Sequence, residues 1–121
     1  MSKLAEVQPV LESAEIVTIG SCSDGGVHLV ATWGEYVRQL GVQDEDVLLV
    51  PAGGYSTTEQ NLARNPSVEV LVASKSAGTG FRLAGHADVQ TSGPWADMVA
   101  AEFKWARGAL VIHVEEVTKL L

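Results

Sequence analysis

The chain has little sulfur, few aromatic rings and a shortage of positive charge. Cys22 is the one cysteine among 121 residues, which excludes an internal disulfide and any cysteine-rich zinc cluster. Eight Lys and Arg stand against fifteen Asp and Glu, a net charge of −7. That balance repels nucleic-acid phosphates and anionic lipid and steers toward basic partners. No apolar run approaches the roughly 20 residues needed to span a bilayer, and the opening MSKLAEVQPVLESAE lacks the apolar core of a signal peptide. The expectation is a cytoplasmic protein that binds neither nucleic acid nor membrane.

Catalytic signatures are also missing. There is no G-x-x-x-x-G-K-[ST], no G-x-G-x-x-G and no G-x-S-x-G, so sites for nucleoside triphosphates or dinucleotides and a serine elbow are unsupported. His28, His86 and His113 each fall inside an expected strand without a partner at ligand spacing, so no metal site is expected. Cys22 lies beside a turn with no local histidine, and no residue is singled out as catalytic.

What is present is a core. Hydrophobic residues make up 46% and mean hydropathy is +0.16, too apolar for disorder and rich enough to leave apolar surface for a partner. A chain of this size buries about two-thirds of its unfolded surface, so residues 1–121 are expected to form a single domain.

Leu4, Val7, Val10 and Leu11 sit at helical spacing around Pro9. Ile16 to Ile19 and Val27 to Trp33 read as strands joined across Asp24-Gly25, a tight hairpin signal. Glu35 to Leu40 alternates like a strand, and Val47 to Val50 is an apolar strand ended by Pro51. Ser56-Thr57-Thr58-Glu59 matches a capping box opening a helix from Thr57 to Arg64. Val68 to Ala73 and Phe81 to Gln90 read as strands around SKSAGTG. A helix opened by Gly93-Pro94 places Trp95, Met98, Val99, Phe103 and Ala106 on one face, with Trp105 at its margin, before a last strand from Ala109 to Val114. Six or seven short strands with two or three short helices imply a mainly β fold, an antiparallel barrel or sandwich.

The strongest local signal is the turn Gly53-Gly54 before the Ser56, Thr57 and Thr58 helix start. Free backbone N–H groups and hydroxyls there form a natural cradle for a single phosphate; an ordinary capped helix after a turn fits the segment equally well. Trp33, Tyr36 and Trp105 are either core fillers or the walls of a site.

The segments DGGVHLVATWGEY, VPAGGYSTTEQNLARNPSVEVLVAS, TGFRLAGHADV and FKWARGALVI, in this order, resemble the small FMN-binding proteins of anaerobic bacteria, within the pyridoxamine-phosphate-oxidase-like split-barrel superfamily. The likeness runs from about Gly20 to the C-terminus, and NLARNP and FKWAR are its most specific parts. It implies a six-stranded antiparallel split β-barrel of Greek-key type, a homodimer with one non-covalent FMN per subunit at the interface. By the same resemblance the FMN phosphate lies at Gly53, Gly54, Ser56, Thr57 and Thr58. Thr32 and Trp33 lie beside the flavin with Tyr36 near, and Trp105 and Leu121 approach the partner's flavin. A lysine expected by the phosphate is Thr57 here, and an asparagine before the Thr-Trp pair is Ala31. Lys75, Arg82, Lys104 and Arg107 are the cations available to take that lysine's place, and SKSAGTG is shorter than its counterparts.

The function so implied is electron transfer between soluble redox partners, with basic proteins such as multihaem cytochromes suited to the acidic charge. The alternatives are an NAD(P)H-dependent flavin reductase or small FMN oxidoreductase, and a non-redox dimer of the same fold binding another ligand such as haem or a deazaflavin. Pyridoxamine-phosphate oxidation itself is not expected, since the arginine-bearing C-terminal substrate segment has no match in VEEVTKLL.

Overall fold

Valine and isoleucine at alternate positions build the strands of the computed structural model, which describes residues 2–121. In β5 (Ser67–Ser74) Val68, Val70 and Val72 are buried while Glu69 and Leu71 face out, the period of a pleated strand with one covered face. β1 (Ile16–Ser23) and β2 (Gly26–Trp33) form the expected hairpin, Ser23 pairing with Gly26 across the two-residue turn. β6 (Thr79–Gln90), β7 (Gly108–Lys119) and β4 (Val47–Ala52) supply the other long strands, and β3 (Val42–Gln43) is a two-residue stub. All pair antiparallel in one sheet of order β2-β1-β5-β6-β7-β4-β3. Six long strands and the stub match the mainly β split barrel expected.

β4 is buried at every position, so both of its faces are covered. Leu48 and Val50 point into the barrel core with Ile19, Val70, Leu83, Leu110 and Ile112. Val47 and Leu49 point the other way, into a smaller cluster with Leu40, Val99, Phe103 and Val111. Burying each of these aliphatic side chains contributes about 1.5–3 kcal/mol before entropy is counted.

Four helices are present among the described residues, against two or three expected: α1 (Gln8–Ser13), α2 (Gly34–Leu40), α3 (Ser56–Arg64) and α4 (Pro94–Glu102). The addition is α2, where the sequence reads as a strand from Glu35 to Leu40. Val37 and Leu40, three apart, are both buried, and six residues are too few to separate that spacing from alternation. Tertiary contacts select the helix. A Cβ on Gly34 would stand 2.0 Å from the Ala14 carbonyl oxygen, so only glycine lets α2 start against the end of α1. Arg38 then donates to the Ala14 and Leu11 carbonyls at 2.8 and 3.2 Å, satisfying acceptors that α1 leaves open.

Two further expectations change. α4 ends at Glu102, and Phe103 is extended at φ −131°, so Trp105 and Ala106 lie beyond the helix, and Met98, expected on the packed face, is exposed. The capping box does not form. Ser56 is the first helical residue, preceded by Tyr55, and no side chain caps the helix; Glu59 instead pairs with Arg107 at 2.8 Å.

Asp46, just before β4, holds the N-terminal segment. Its carboxylate accepts from Ser2 Oγ at 2.5 Å, from the Lys3 N–H at 3.0 Å and from the Leu4 N–H at 3.1 Å. Leu4 and Val7 are thereby anchored in the core.

Candidate functional site

The candidate site forms where β4 ends. Pro51 stops the strand, Gly53-Gly54 turns the chain, and α3 starts at Ser56. Asn61, buried on α3, donates to Ser21 Oγ on β1 at 3.1 Å, which fixes the helix to the sheet and gives the NLARNP segment its structural role. The first backbone N–H of α3 with a backbone acceptor is that of Glu59, bonded to Tyr55 O at 2.9 Å. The N–H groups of Ser56, Thr57 and Thr58 precede it with no side-chain cap, free donors of the kind a helix start offers to an anion. Thr58, three residues before Asn61, is 1% exposed, and its Oγ1 has no partner, the only such buried side-chain atom among the described residues. Leaving a hydroxyl buried and unpaired costs about 1–3 kcal/mol.

Next to this helix start lies an open cleft of about 380 Å³, with the end of β2 on one side and the glycine turn on the other. Thr32, Trp33, Tyr36, Gly53, Gly54 and Trp105 all line it. Trp33 and Trp105 are 55% and 56% exposed, unusual for rings this large in a domain with a well-filled core. Trp105 packs at 5.8 Å from both Tyr36 and Phe103, centroid to centroid, and Tyr36 at 4.9 Å from Phe103. These tilted and edge-on contacts hold Trp105 while the ring stays accessible. A Cβ on Gly53 would come within 3.1 Å of the Trp105 ring, so glycine here lets the aromatic wall approach the turn.

Of the residues singled out from the sequence, Ser56 and Thr57 are exposed in the first turn of α3 and Thr58 is buried behind them. Leu121 lies outside the cleft, against Gly80, with its carbonyl accepting from Thr79 Oγ1 at 2.8 Å. Trp105 lines the cleft of its own chain. Sequence reasoning missed Tyr55, which lines the cleft and donates to Ala31 O on β2 at 2.8 Å, tying turn to strand. Burial pushes its phenol above the ordinary tyrosine range, against the opposing effect of the Thr32 hydroxyl. Its place between Gly54 and Ser56 was the available signal. Ile16, Ala31 and Pro51 complete the lining.

The four candidate cations separate clearly. Arg82 is paired with Glu69 and Glu116 on the sheet, Lys75 lies in the turn between β5 and β6, and Lys104 is exposed after α4. Arg107 alone reaches the glycine turn, its Nε donating to Gly53 O at 3.3 Å. Among the described residues no group of three or more His, Cys, Asp or Glu could hold a metal ion, and no helix is long and apolar enough to cross a membrane. The His86 and His113 rings stack at 4.6 Å, away from this cleft.

A second hollow of about 330 Å³ lies on the outer face of β1, β2 and β5, among Val27, Leu29 and Leu71. These side chains, with Ile16, are 46–71% exposed, and the hollow is chiefly apolar.

Comparison with known proteins agrees with this fold. The family description of pyridoxamine 5′-phosphate oxidase matches residues 4–120. The FMN-binding protein of Nitratidesulfovibrio vulgaris (strain DSM 19637 / Miyazaki F) is 38% identical over 118 residues, covering 93% of each chain. Among solved structures, HupZ of Group A Streptococcus superposes with a TM-score of 0.76 at 16% identity, covering 95% of this chain and 91% of that one. An FMN-binding protein from Syntrophomonas wolfei gives 0.64 at 13% identity, covering 94% and 88%.

Proposed function

Because the chain belongs to the pyridoxamine 5′-phosphate oxidase family, we propose that it is a non-covalent FMN-binding protein, homodimeric and cytoplasmic, that carries electrons between soluble redox partners. The observation that carries the FMN reading is the unpaired, buried Thr58 hydroxyl beside the three uncapped N–H groups of α3, next to a cleft walled by accessible aromatic rings. Those residues fit a planar ring bearing one anionic tail, and a 38% identical relative carries the name FMN-binding protein.

In this reading Ser56, Thr57 and Thr58 hold the phosphate through N–H and hydroxyl donors. Trp33, Tyr36 and Trp105 cover the ring and exclude water from it. Tyr55 keeps β2 and the glycine turn at a fixed separation through its bond to Ala31 O. Bound FMN supplies one- or two-electron redox chemistry, and the protein's part is to bind it and set its surroundings.

The exposed apolar strip of Ile16, Val27, Leu29 and Leu71 supports a second copy of the chain as its cover, since a strip of this kind marks an interface. The net charge of −7 supports a basic partner, and the free, exposed Cys22 suits a reducing compartment. Titration of the purified protein with FMN tests the reading. Quenching of flavin fluorescence that saturates at one FMN per chain is expected, and a linear, unquenched response rejects it. Sedimentation tests the dimer, and reduction of the FMN-loaded protein by a cytochrome but not by NADH or NADPH separates a carrier from a reductase.

A further inference from the structure

Arg107 and Glu59 form a charge pair at the edge of the proposed phosphate site, and the pair is only partly committed. Arg107 follows the Trp105 wall, and its backbone N–H donates to Ala52 O at 2.8 Å. The side chain spans the glycine turn, with Nε on Gly53 O at 3.3 Å and Nη2 on Glu59 Oε1 at 2.8 Å. A guanidinium has five N–H donors. Two are used, and among the described residues none of the remaining three has an acceptor. Glu59 stands one residue after Thr58, so its carboxylate is a negative charge in the first turn of the helix that would receive the anion. Both side chains are 40% exposed, open to an incoming group.

We infer that Arg107 is the cation that selects a phosphorylated flavin over an unphosphorylated one, and that Glu59 is a resident counter-ion which the phosphate must outcompete for it. The inference rests on the FMN reading above and adds a division of labour within the site. Trp105 serves the ring and Arg107, two residues on, serves the charged tail. Glu59 holds the guanidinium across the turn when no ligand is bound, and its negative charge weakens anion binding at the same place. A carboxylate and a phosphate compete for the same fork of donors, and a phosphate dianion offers the larger charge.

The test compares FMN with riboflavin, which differs in lacking the phosphate, by fluorescence quenching at low ionic strength. In Arg107→Gln the FMN Kd should rise about tenfold while the riboflavin Kd changes by less than about twofold, and Arg107→Lys should restore part of the loss. Glu59→Gln should shift FMN the other way, tightening it about threefold with riboflavin unchanged. The preference for FMN should also fall with added salt in the unsubstituted protein and much less in Arg107→Gln. An FMN to riboflavin ratio in Arg107→Gln equal to that of the unsubstituted protein overturns the inference and leaves the FMN reading standing. So does a Glu59→Gln protein that loses FMN as Arg107→Gln does, since the pair would then only brace the turn. Failure of the FMN reading has a different signature, an unsubstituted protein that binds neither flavin, and it overturns both.

Discussion

Two buried polar side chains flank strand β4, Asp46 just before it and Thr58 on the helix that follows it, and the two are treated oppositely. At its start the Asp46 carboxylate accepts three hydrogen bonds from Ser2, Lys3 and Leu4. Past its end Thr58 Oγ1 is buried more deeply still and has none. Asp46 ties the N-terminal segment to the barrel, a task that ends when its bonds are made. The Thr58 hydroxyl sits at a helix start whose N–H groups are also unsatisfied. A fold that can pair a carboxylate three times over can pair a hydroxyl once, and in the proposed reading the unpaired one is where bound FMN would complete the structure.

The largest expected effect falls at the paired end. Asp46→Ala leaves the Lys3 and Leu4 N–H groups without their acceptor and should lower stability by about 3 kcal/mol, read from urea unfolding, with flavin affinity within about twofold of the parent. The same site sets a pH dependence. Burial acts to raise the Asp46 carboxyl, but the hydrogen bonds from Ser2, Lys3 and Leu4 and the Lys3 charge outweigh it and hold the carboxyl below its ordinary value. A depressed folded value adds stability that is fully present above about pH 4 and is lost as pH falls through the folded value. Unfolding midpoints between pH 6 and pH 2 should therefore drop more in the parent than in Asp46→Ala.

At the unpaired end the prediction inverts. Thr58→Val keeps the shape and removes the hydroxyl, so stability should hold or rise by about 1 kcal/mol while FMN affinity falls about tenfold. Loss of stability with affinity intact would mean that the hydroxyl serves the fold. The smallest effect is expected at Tyr55, the polar tie within the site. Tyr55→Phe removes the bond to Ala31 O and should cost about 1 kcal/mol in thermal unfolding. A loss as large as that of Asp46→Ala would show that the site end is braced no less than the other and break the contrast.

Much of this was legible in the sequence. Val68, Val70 and Val72 alternate cleanly, Asp24-Gly25 names its turn, and the double glycine before Ser56 marks the helix start. What the sequence hid was set by distant contacts. α2 is a helix because Gly34 meets the Ala14 carbonyl and Arg38 reaches back to α1, neither of which local pattern reveals. The apparent capping box fails because the helix starts at Ser56 itself, with Tyr55 at the cap position, and Glu59 pairs with Arg107, 48 residues away. Trp105 reaches the cleft because the chain leaves α4 at Phe103, where helical spacing had carried the pattern on to Ala106. Thr32, Trp33, Tyr36 and the two glycines were placed together by resemblance and meet in one cleft, whereas Tyr55 was overlooked between two better-known signals.

In the proposed reading, bound FMN finishes what the fold leaves open beside Thr58. A crystal structure of the protein grown with FMN tests this most directly. Phosphate density against the N–H groups of Ser56, Thr57 and Thr58, with the ring in the cleft beside Trp105, is the predicted result. Flavin bound elsewhere, or a water bonded to Thr58 Oγ1 in a cleft without flavin, would contradict it.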